Sequence, residues 1–243
     1  MKPSSSPLII AHRGGARVGP ENSLLAIKRS LEISVDGIEV DVRMSQDGTL
    51  VLQHDATIKG KRVEELTLEE IREIQPHITT LEECLHLVKT VGAWRHGATP
   101  LLFIEIKEGS KKYPGIEEKV IQLFKGFSCL ERTIFLSFWK EVLEKIHSSL
   151  PNGRYMKLFY SVKRGIPLYK DHKVSIGYPF RGIPHYLEGV GIHWKSIHPW
   201  VIRECEKRDL KVYVWTVNDR KVGEEMKGFR VEGLITDDPR LFL

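Results

Sequence analysis

The chain has 243 residues, of which 41% are hydrophobic and 28% are charged. Disordered and fibrous chains carry less apolar material to bury, so this composition excludes both classes. Lys and Arg number 37 against 32 Asp and Glu, and this excess of +5 is spread along the chain. It is compatible with a small anionic substrate without by itself predicting one, and we expect no binding of nucleic acid.

The start of the chain, Met1–Pro7, is short and polar, and the apolar run that follows is interrupted at His12 and Arg13. No secretory signal fits this pattern. No stretch approaches the ~20 apolar residues that span a bilayer, so we expect no stable membrane insertion and a cytoplasmic location.

The three cysteines are an odd number at wide spacing, which fits neither a disulfide framework nor a close-spaced zinc site. We expect them to be reduced and to pack as small hydrophobic side chains. They are Cys84, Cys129 and Cys205.

Short runs rich in Val, Ile and Leu recur along the chain, and each has the length of a buried strand. The eight runs are Leu8–Ala11, Gly37–Val42, Leu101–Ile106, Thr133–Phe138, Met156–Val162, Gly189–Trp194, Lys211–Val217 and Gly233–Thr236.

Amphipathic stretches with helical spacing lie between most of these runs. Clear examples are Ser23–Ile33, Ile116–Phe127, Lys140–Leu150 and Pro199–Arg208. Eight strands alternating with helices in about 240 residues predict an α/β protein, a (β/α)8 barrel. No linker divides the chain, so we expect residues 1–243 to form a single domain.

One segment interrupts this alternation. A Gln46-Asp47-Gly48 turn precedes a further strand-like run, Thr49–Asp55, which should form a hairpin with the second strand. Two helical pieces follow at Leu66–Ile74 and Thr80–Val91. We therefore predict a short insertion after the second strand, at approximately residues 49–80.

Carboxylates accumulate at the predicted mouth of the barrel, where active residues of this fold lie. Glu39 and Asp41 are two apart on a strand and face the same side, and Glu105 on the next strand adds a third. Like charges brought together out of water need a cation, and hard divalent ions prefer carboxylate oxygens. The pattern favours a Mg2+ or Ca2+ site. The alternative is ion pairing with basic neighbours, namely Arg13, Arg43 and Lys107.

Two histidines, His12 and His54, each follow a predicted strand. Because histidine titrates near neutral pH, one could accept a proton from a nucleophile while the other donates one to a leaving group. Arg13 and Lys107, at the same strand ends, could offset the charge of a phosphate. A single histidine at a strand end is usually structural, whereas this combination indicates a catalytic site.

The ordered motifs of the chain resemble those of a known family. In the first half they are His12-Arg13-Gly14, Pro20-Glu21-Asn22-Ser23, Asp36-Gly37-Ile38-Glu39-Val40-Asp41-Val42-Arg43, Asp47-Gly48 and His54-Asp55. In the second half they are Glu105-Ile106-Lys107, Ser137-Phe138, Trp215-Thr216-Val217-Asn218 and Thr236-Asp237-Asp238-Pro239. Over almost its whole length the sequence closely resembles the glycerophosphodiester phosphodiesterase family, of the cytoplasmic bacterial or archaeal type.

This resemblance implies a TIM barrel that hydrolyses small glycerophosphodiesters to sn-glycerol 3-phosphate and an alcohol with one divalent cation. By position it implies three metal ligands, Glu39, Asp41 and Glu105. It also implies that His12 and His54 are the acid–base pair. The remaining site residues are Arg13 and Lys107 as phosphate contacts and Trp215 as the aromatic that packs on glycerol.

Two other functions remain open at this point. A phospholipase D-like or lysophospholipid-cleaving enzyme on the same barrel would need an exposed apolar rim. The sequence offers only Ile176–Ile183, with Tyr178 and Phe180, for that purpose. A non-catalytic barrel that binds phosphorylated metabolites would not need two histidines.

The insertion is shorter than the family usually has, which leaves the alcohol side of the site open.

Several polar residues have less specific patterns. Asn22 or Ser23 is expected to cap the first helix, because both precede its apolar face. Asp55 could orient His54 or begin the following turn, and Ser137 could face the site or bond to the backbone. Asp237 is expected to satisfy local backbone donors at the end of the last strand.

Overall fold

The computed structural model describes residues 6–90, 100–163, 174–176, 180 and 182–243. Its strands, in chain order, are β1 Leu8–Ala11, β2 Gly37–Met44, β3 Leu50–Leu52, β4 Thr57–Ile58, β5 Lys61–Arg62, β6 Leu101–Ile106, β7 Thr133–Ser137, β8 Arg154–Phe159, β9 Ser161–Lys163, β10 Val174–Ile176, β11 Gly189–His193, β12 Lys211–Trp215 and β13 Gly233–Thr236. The helices are α1 Leu24–Glu32, α2 Leu68–Ile74, α3 Leu81–Thr90, α4 Ile116–Gly126, α5 Lys140–Ser149, α6 Pro199–Glu206 and α7 Arg220–Gly228.

Eight of these strands form a closed parallel barrel, in the order β1, β13, β12, β11, β8, β7, β6 and β2. Pairing of β1 with β2 as well as with β13 closes the sheet. The predicted (β/α)8 barrel is therefore confirmed, and three strands keep the predicted bounds at both ends.

Strand β8 departs from prediction, because it begins at Arg154 rather than Met156 and ends at Phe159. One basic residue, Arg154, hides its start in the sequence pattern, and a second, Lys157, lies within the strand. Both find partners in the fold: Arg154 makes a bidentate ion pair with Glu188, and the Lys157 ammonium donates to the carbonyl of Leu158 at 3.1 Å. Charged residues are admitted to a buried strand when such partners are available.

The insertion after β2 contains the predicted hairpin, since β3 pairs antiparallel with β2. The insertion has a small core of its own, formed by Val51 of β3 together with Ile58, Val63, Leu66, Ile71 and Ile78. An ion pair of 2.6 Å between Glu64 and Lys112 ties this segment to the loop after β6. The insertion thus forms part of one rim of the barrel mouth.

The barrel interior is filled by apolar side chains: Ile10, Phe103, Ile134, Leu136, Met156, Leu158, Tyr213 and Ile235. A larger apolar layer lies between the strands and the surrounding helices. Because side chains alternate along a strand, the residue two positions beyond an interior one also faces inward, closer to the carboxyl end. His12 thus lies above Ile10, Glu105 above Phe103 and Trp215 above Tyr213.

Cys84 and Cys205 are buried as predicted, whereas Cys129 is half-buried against the core, and all three are free thiols. Within residues 6–90, 100–163, 174–176, 180 and 182–243, no helix combines the length and the apolar character needed to cross a membrane.

Candidate active site

A cavity of about 610 Å3 opens at the carboxyl ends of the barrel strands. One wall is polar, with residues from β1, β2, β6 and the segment after β3. The opposite wall is apolar and comes from β7, β8 and β12. All of the site residues predicted from the sequence line this cavity except Asp41, which is buried directly beneath it.

The three predicted metal ligands converge. Strand pairing sets Asp41 beside Glu105 and Glu39 beside Phe103. One oxygen from each of Glu39, Asp41 and Glu105 lies within 4.8 Å of the others, and all three residues are buried. Because the register of a parallel pair is fixed by the whole strand, this convergence follows from the fold.

Lys107 lies between two of these carboxylates. Its ammonium is 2.7 Å from Asp41 Oδ1 and 2.7 Å from Glu105 Oε1. Asn22 donates from Nδ2 to Asp41 Oδ2 at 2.9 Å and accepts from the Asp41 backbone N–H at 3.1 Å. Asp41 is therefore held by both its side chain and its backbone.

Arg13 reaches the cluster in two ways. Its backbone is in the left-handed region, with φ of 52°, and its N–H donates to Glu39 Oε2 at 2.9 Å. Its guanidinium pairs with Glu21 at 2.8 Å, and Nε lies 3.7 Å from Asp41 Oδ2. A non-glycine residue in this conformation costs energy, and such residues concentrate at functional sites.

The charges of the cluster are divided unequally. Burial, followed by repulsion from Asp41, raises the pKa of Glu39 to about 8. Burial alone would raise the pKa of Asp41, but the charges of Lys107, His54 and His12 together outweigh it and hold that pKa well below its usual range, with Lys107 contributing most. Glu39 instead faces His12, whose Nε2 lies 3.9 Å from Glu39 Oε2 and attracts the carboxylate when the imidazole is protonated.

The residues present fit a hard divalent cation. Their donors are carboxylate oxygens of three buried side chains, the ligand type that Mg2+ and Ca2+ prefer. Lys107 pairs with Asp41 and Glu105, whereas Glu39 faces His12 at 3.9 Å, so a bound cation would add positive charge beside the Glu39 carboxylate.

His12 is held by Asp237, a carboxylate for which the sequence predicted only contacts with local backbone donors. Its Nδ1 lies 2.6 Å from Asp237 Oδ1. Asn218 donates from Nδ2 to the other Asp237 oxygen at 2.5 Å and accepts from the Asp237 N–H at 2.9 Å. Asp237 thus orients His12 from a position fixed by Asn218. Burial would lower the pKa of His12, but the Asp237 hydrogen bond and the charges of Glu39 and Asp41 raise it.

His54 has a more open environment. Its Nδ1 lies 2.8 Å from Asp55 Oδ1, in agreement with the orienting role considered for Asp55, although the Asp55 side chain is 71% exposed. Burial, with the Lys107 and Arg13 charges nearby, lowers the pKa of His54 in spite of the Asp41 charge. The two histidines therefore differ in environment within one cavity.

Trp215 forms the centre of the apolar wall. Its ring meets Phe138 edge to face at 5.7 Å, and Tyr160 lies 5.9 Å away. Tyr160 is 55% exposed at the rim. The wall can therefore receive the carbon skeleton of a substrate whose charged group lies on the polar side. Half of the apolar segment considered for a membrane rim, Ile176–Ile183, lies outside the described residues, and Tyr178 is in that half.

Two serines bond to the backbone at the end of a helix or strand. Ser23 caps α1, accepting from the Ala26 N–H at 3.1 Å, which leaves Asn22 for Asp41. Ser137 donates to the Ile106 carbonyl and accepts from the Trp139 N–H, so its hydroxyl is used by the backbone.

The contact of Asp237 with His12 was missed in the sequence because it depends on closure of the barrel. Ala11 of β1 and Thr236 of β13 are paired neighbours where the barrel closes, so the residues that follow them, His12 and Asp237, meet.

Arg43 was predicted only as a possible ion-pair partner of the clustered carboxylates, whereas its guanidinium donates to the backbone carbonyl of His54.

Comparison with known proteins agrees with this geometry. Residues 12–241 match the glycerophosphoryl diester phosphodiesterase family. The glycerophosphodiester phosphodiesterase of Caldanaerobacter subterraneus subsp. tengcongensis is 33% identical over 97% of this chain and 96% of its own length. The enzyme of that name from Bacillus altitudinis is 28% identical over 95% and 94%.

Solved structures show the same fold. A putative glycerophosphoryl diester phosphodiesterase from Silicibacter pomeroyi superimposes with a TM-score of 0.81 at 22% identity, covering 98% of this chain and 92% of its own. A phosphodiesterase from Oleispira antarctica, described in complex with the product sn-glycerol-3-phosphate, gives 0.79 at 21% identity, covering 96% and 94%. Since the family match extends from His12 through the last strand, the chain belongs to the glycerophosphoryl diester phosphodiesterase family, whose members hydrolyse glycerophosphodiesters.

Proposed function

We propose that this protein hydrolyses glycerophosphodiesters to sn-glycerol 3-phosphate and an alcohol, with one divalent cation and with His12 and His54 as proton donor and acceptor. The observation that carries the proposal is the convergence of three buried carboxylates and two histidines in one cavity. The product named for the Oleispira antarctica relative supports the choice of sn-glycerol 3-phosphate.

Glu39, Asp41 and Glu105 would hold the cation, which is Mg2+ or Ca2+ by its ligands. When bound, it supplies stabilisation of the negative charge that develops on the phosphoryl oxygens. Arg13 and Lys107, which line the same wall, contribute fixed positive charge toward the phosphate. The phosphate would therefore lie on the polar wall, with the glycerol carbons toward Trp215.

The reaction breaks the bond between phosphorus and the leaving oxygen, and the elements of water are added. The attacking oxygen is that of water or of the glycerol 2-hydroxyl, the latter through a cyclic phosphate that water then opens. One histidine takes the proton of the attacking hydroxyl, and the other gives a proton to the departing alcohol. Asp237 and Asp55 hold the two imidazoles for these transfers.

The test is hydrolysis of glycerophosphocholine and glycerophosphoethanolamine, with a lysophospholipid beside them. Products are measured as sn-glycerol 3-phosphate, through its stereospecific dehydrogenase, and as free choline or ethanolamine. We expect release of both products with Mg2+ or Ca2+, and none after removal of metal with EDTA. Activity that survives exhaustive chelation would refute the metal role.

Single variants test the residues. His12→Ala and His54→Ala should each lower turnover by about 100-fold or more. His77→Ala is the matched control, because its side chain is exposed away from the cavity, and it should retain full turnover. Near-normal turnover in both site variants would refute the histidine assignment. Faster cleavage of the lysophospholipid than of the soluble diesters would favour the lipid enzyme instead.

A further inference from the structure

A buried guanidinium lies at the edge of the site without facing a carboxylate of the metal cluster. Arg43 is on β2, two positions beyond Asp41, so it follows Glu39 and Asp41 on the inward face. It lines the cavity and is only 6% exposed. An arginine buried to this degree requires specific partners for its donors.

Its partners join two loops on either side of the carboxylates. Nε and Nη2 donate to the backbone carbonyl of His54 at 3.0 and 2.7 Å. Nη1 donates to Glu108 Oε2 at 3.0 Å and to the Tyr113 hydroxyl at 2.7 Å. The planar fork of arginine is suited to such simultaneous contacts, which lysine cannot reproduce.

The backbone of His54 needs this support. The strand before it, β3, ends at Leu52, and the Gln53 N–H donates to the Asp41 carbonyl at 2.9 Å. The side-chain partner of His54 is Asp55, which is largely exposed, so that contact is weakened by water. Arg43 is therefore the buried group that fixes where the His54 residue leaves the sheet.

The other end of the contact is equally well fixed. Glu108 directly follows Lys107 and turns in the left-handed region, with φ of 55°, which brings its carboxylate to Arg43. Tyr113 is almost completely buried. The Glu108 side chain is 42% exposed, so the buried Tyr113 hydroxyl is the firmer of the two anchors that one guanidinium connects to the His54 carbonyl.

We propose that Arg43 is a positioning residue that sets the reach of the His54 imidazole into the cavity by clamping the His54 carbonyl. The inference rests on the proposed function, in which His54 transfers a proton. Since misplacement of a catalytic group by about 1 Å can cost 100-fold in rate, a loss of this clamp should lower turnover without weakening substrate binding.

The experiment compares Arg43→Met and Arg43→Lys with the wild-type protein, in the presence of Mg2+ and glycerophosphocholine. We expect kcat of Arg43→Met to fall about 10- to 100-fold while KM stays within about twofold. The kcat of Arg43→Lys should lie between those of Arg43→Met and the wild-type protein, because lysine keeps one donor for the His54 carbonyl but lacks the planar fork of arginine.

A double-mutant cycle separates positioning from direct action. In a His54→Ala background, Arg43→Met should lower kcat by less than about twofold, because there is no imidazole left to position. A KM increase of tenfold or more that persists in that background would overturn the proposal, since Arg43 would then bind substrate itself. Unchanged kcat in a folded Arg43→Met would also overturn it.

Arg154→Met is the matched control. Arg154 makes a comparable bidentate ion pair, with Glu188 at 2.6 and 2.9 Å, at the opposite end of the barrel. It should lower thermal stability and leave kcat unchanged. Should Arg43→Met fail to fold, Arg43→Lys and Tyr113→Phe decide the question, and normal kcat in both would refute the clamp.

Amide hydrogen exchange supplies a readout independent of turnover. In Arg43→Met, peptides covering residues 53–57 should exchange faster than in the wild-type protein or in Arg154→Met. If the wild-type protein does not hydrolyse the diesters, the proposed function fails, whereas unchanged exchange in this segment refutes the clamp alone.

Discussion

Replacement of Asp237 tests the site most directly, because this residue contacts His12 without belonging to the carboxylate cluster. Asp237→Asn removes the negative charge and keeps the shape, while Asp237→Ala removes the hydrogen bond to His12 Nδ1 as well. Both variants leave the three carboxylates and Lys107 untouched. An effect on turnover would therefore arise through His12.

The magnitude follows from the contact. A hydrogen bond to a charged group contributes about 1.5–3 kcal/mol, and each 1.36 kcal/mol is tenfold in rate. These values correspond to about a 10- to 150-fold loss of kcat. The Asp237 side chain is 23% exposed, so solvent weakens the bond and we expect the lower part of this range.

The sign of the pH effect is also fixed. In the wild-type protein, burial lowers the pKa of His12, and the Asp237 hydrogen bond is the largest contribution that raises it. Both variants should therefore move the His12 limb of the pH–rate profile to lower pH.

The assay is choline release from glycerophosphocholine across pH, with Mg2+ affinity measured by calorimetry on the same samples. Metal affinity should be unchanged. Asp219→Ala is the matched control, since Asp219 caps α7 by accepting from the Val222 N–H at 3.1 Å. It should cost about 1 kcal/mol of stability with normal kcat. Turnover of Asp237→Ala within twofold of wild type, in a folded protein, would refute the reasoning.

The remaining predictions concern the cluster and the histidines. Because the pKa of Glu39 is raised to about 8, metal binding near neutral pH should release a proton. Metal affinity should therefore rise with pH and level off above about pH 8. Calorimetry in buffers of different ionisation enthalpy measures the number of protons released, and metal binding without proton release would contradict the prediction. Ionisation of Glu39 opposes folding, so the metal-free protein should lose stability as pH rises from 4.5 toward 8. Glu39→Gln should abolish this loss and raise Tm at pH 8, by about 2–4 °C for each kcal/mol of stability regained, while removing activity; an unchanged Tm would argue against an unfavourable Glu39 carboxylate. A p-nitrophenyl leaving group needs no proton, so on such a diester one of the variants His12→Ala and His54→Ala, the one that lacks the acid, should recover most of its turnover, whereas the one that lacks the base should not. If each variant loses as much turnover on this diester as on glycerophosphocholine, the division into acid and base is refuted.

Strand order and much of the site were predictable from local pattern. The run Leu101–Ile106 was predicted with its observed bounds, because continuous apolar runs between polar segments are typical of a parallel barrel. Alternation along β2 also placed Glu39 and Asp41 on one face. The bounds of β8 were predicted wrongly, because Arg154 interrupts the apolar pattern at its start and is accommodated by Glu188, 34 positions away in sequence.

The sequence pattern could not predict which residues from distant segments contact each other. Asp237 is 225 positions from His12, and Arg43 is 65 positions from Glu108. A carboxylate or guanidinium has several chemically equivalent partners in the chain. Only the register of the strands and the course of the loops determine which partner lies within hydrogen-bonding distance.

The composition of the sequence excluded disordered and fibrous proteins, and its net charge of +5 predicted no particular substrate. The sequence by itself determined the alternation of strands and helices, the inward face of each strand and the residue types at the barrel mouth, because these depend on periods of two and 3.6 residues. Closure of the barrel decided how the charges are shared: Lys107 pairs with both Asp41 and Glu105, Glu39 has a raised pKa, and Asp237 contacts His12. Coulomb interactions depend on distance and burial, and only the tertiary structure fixes both.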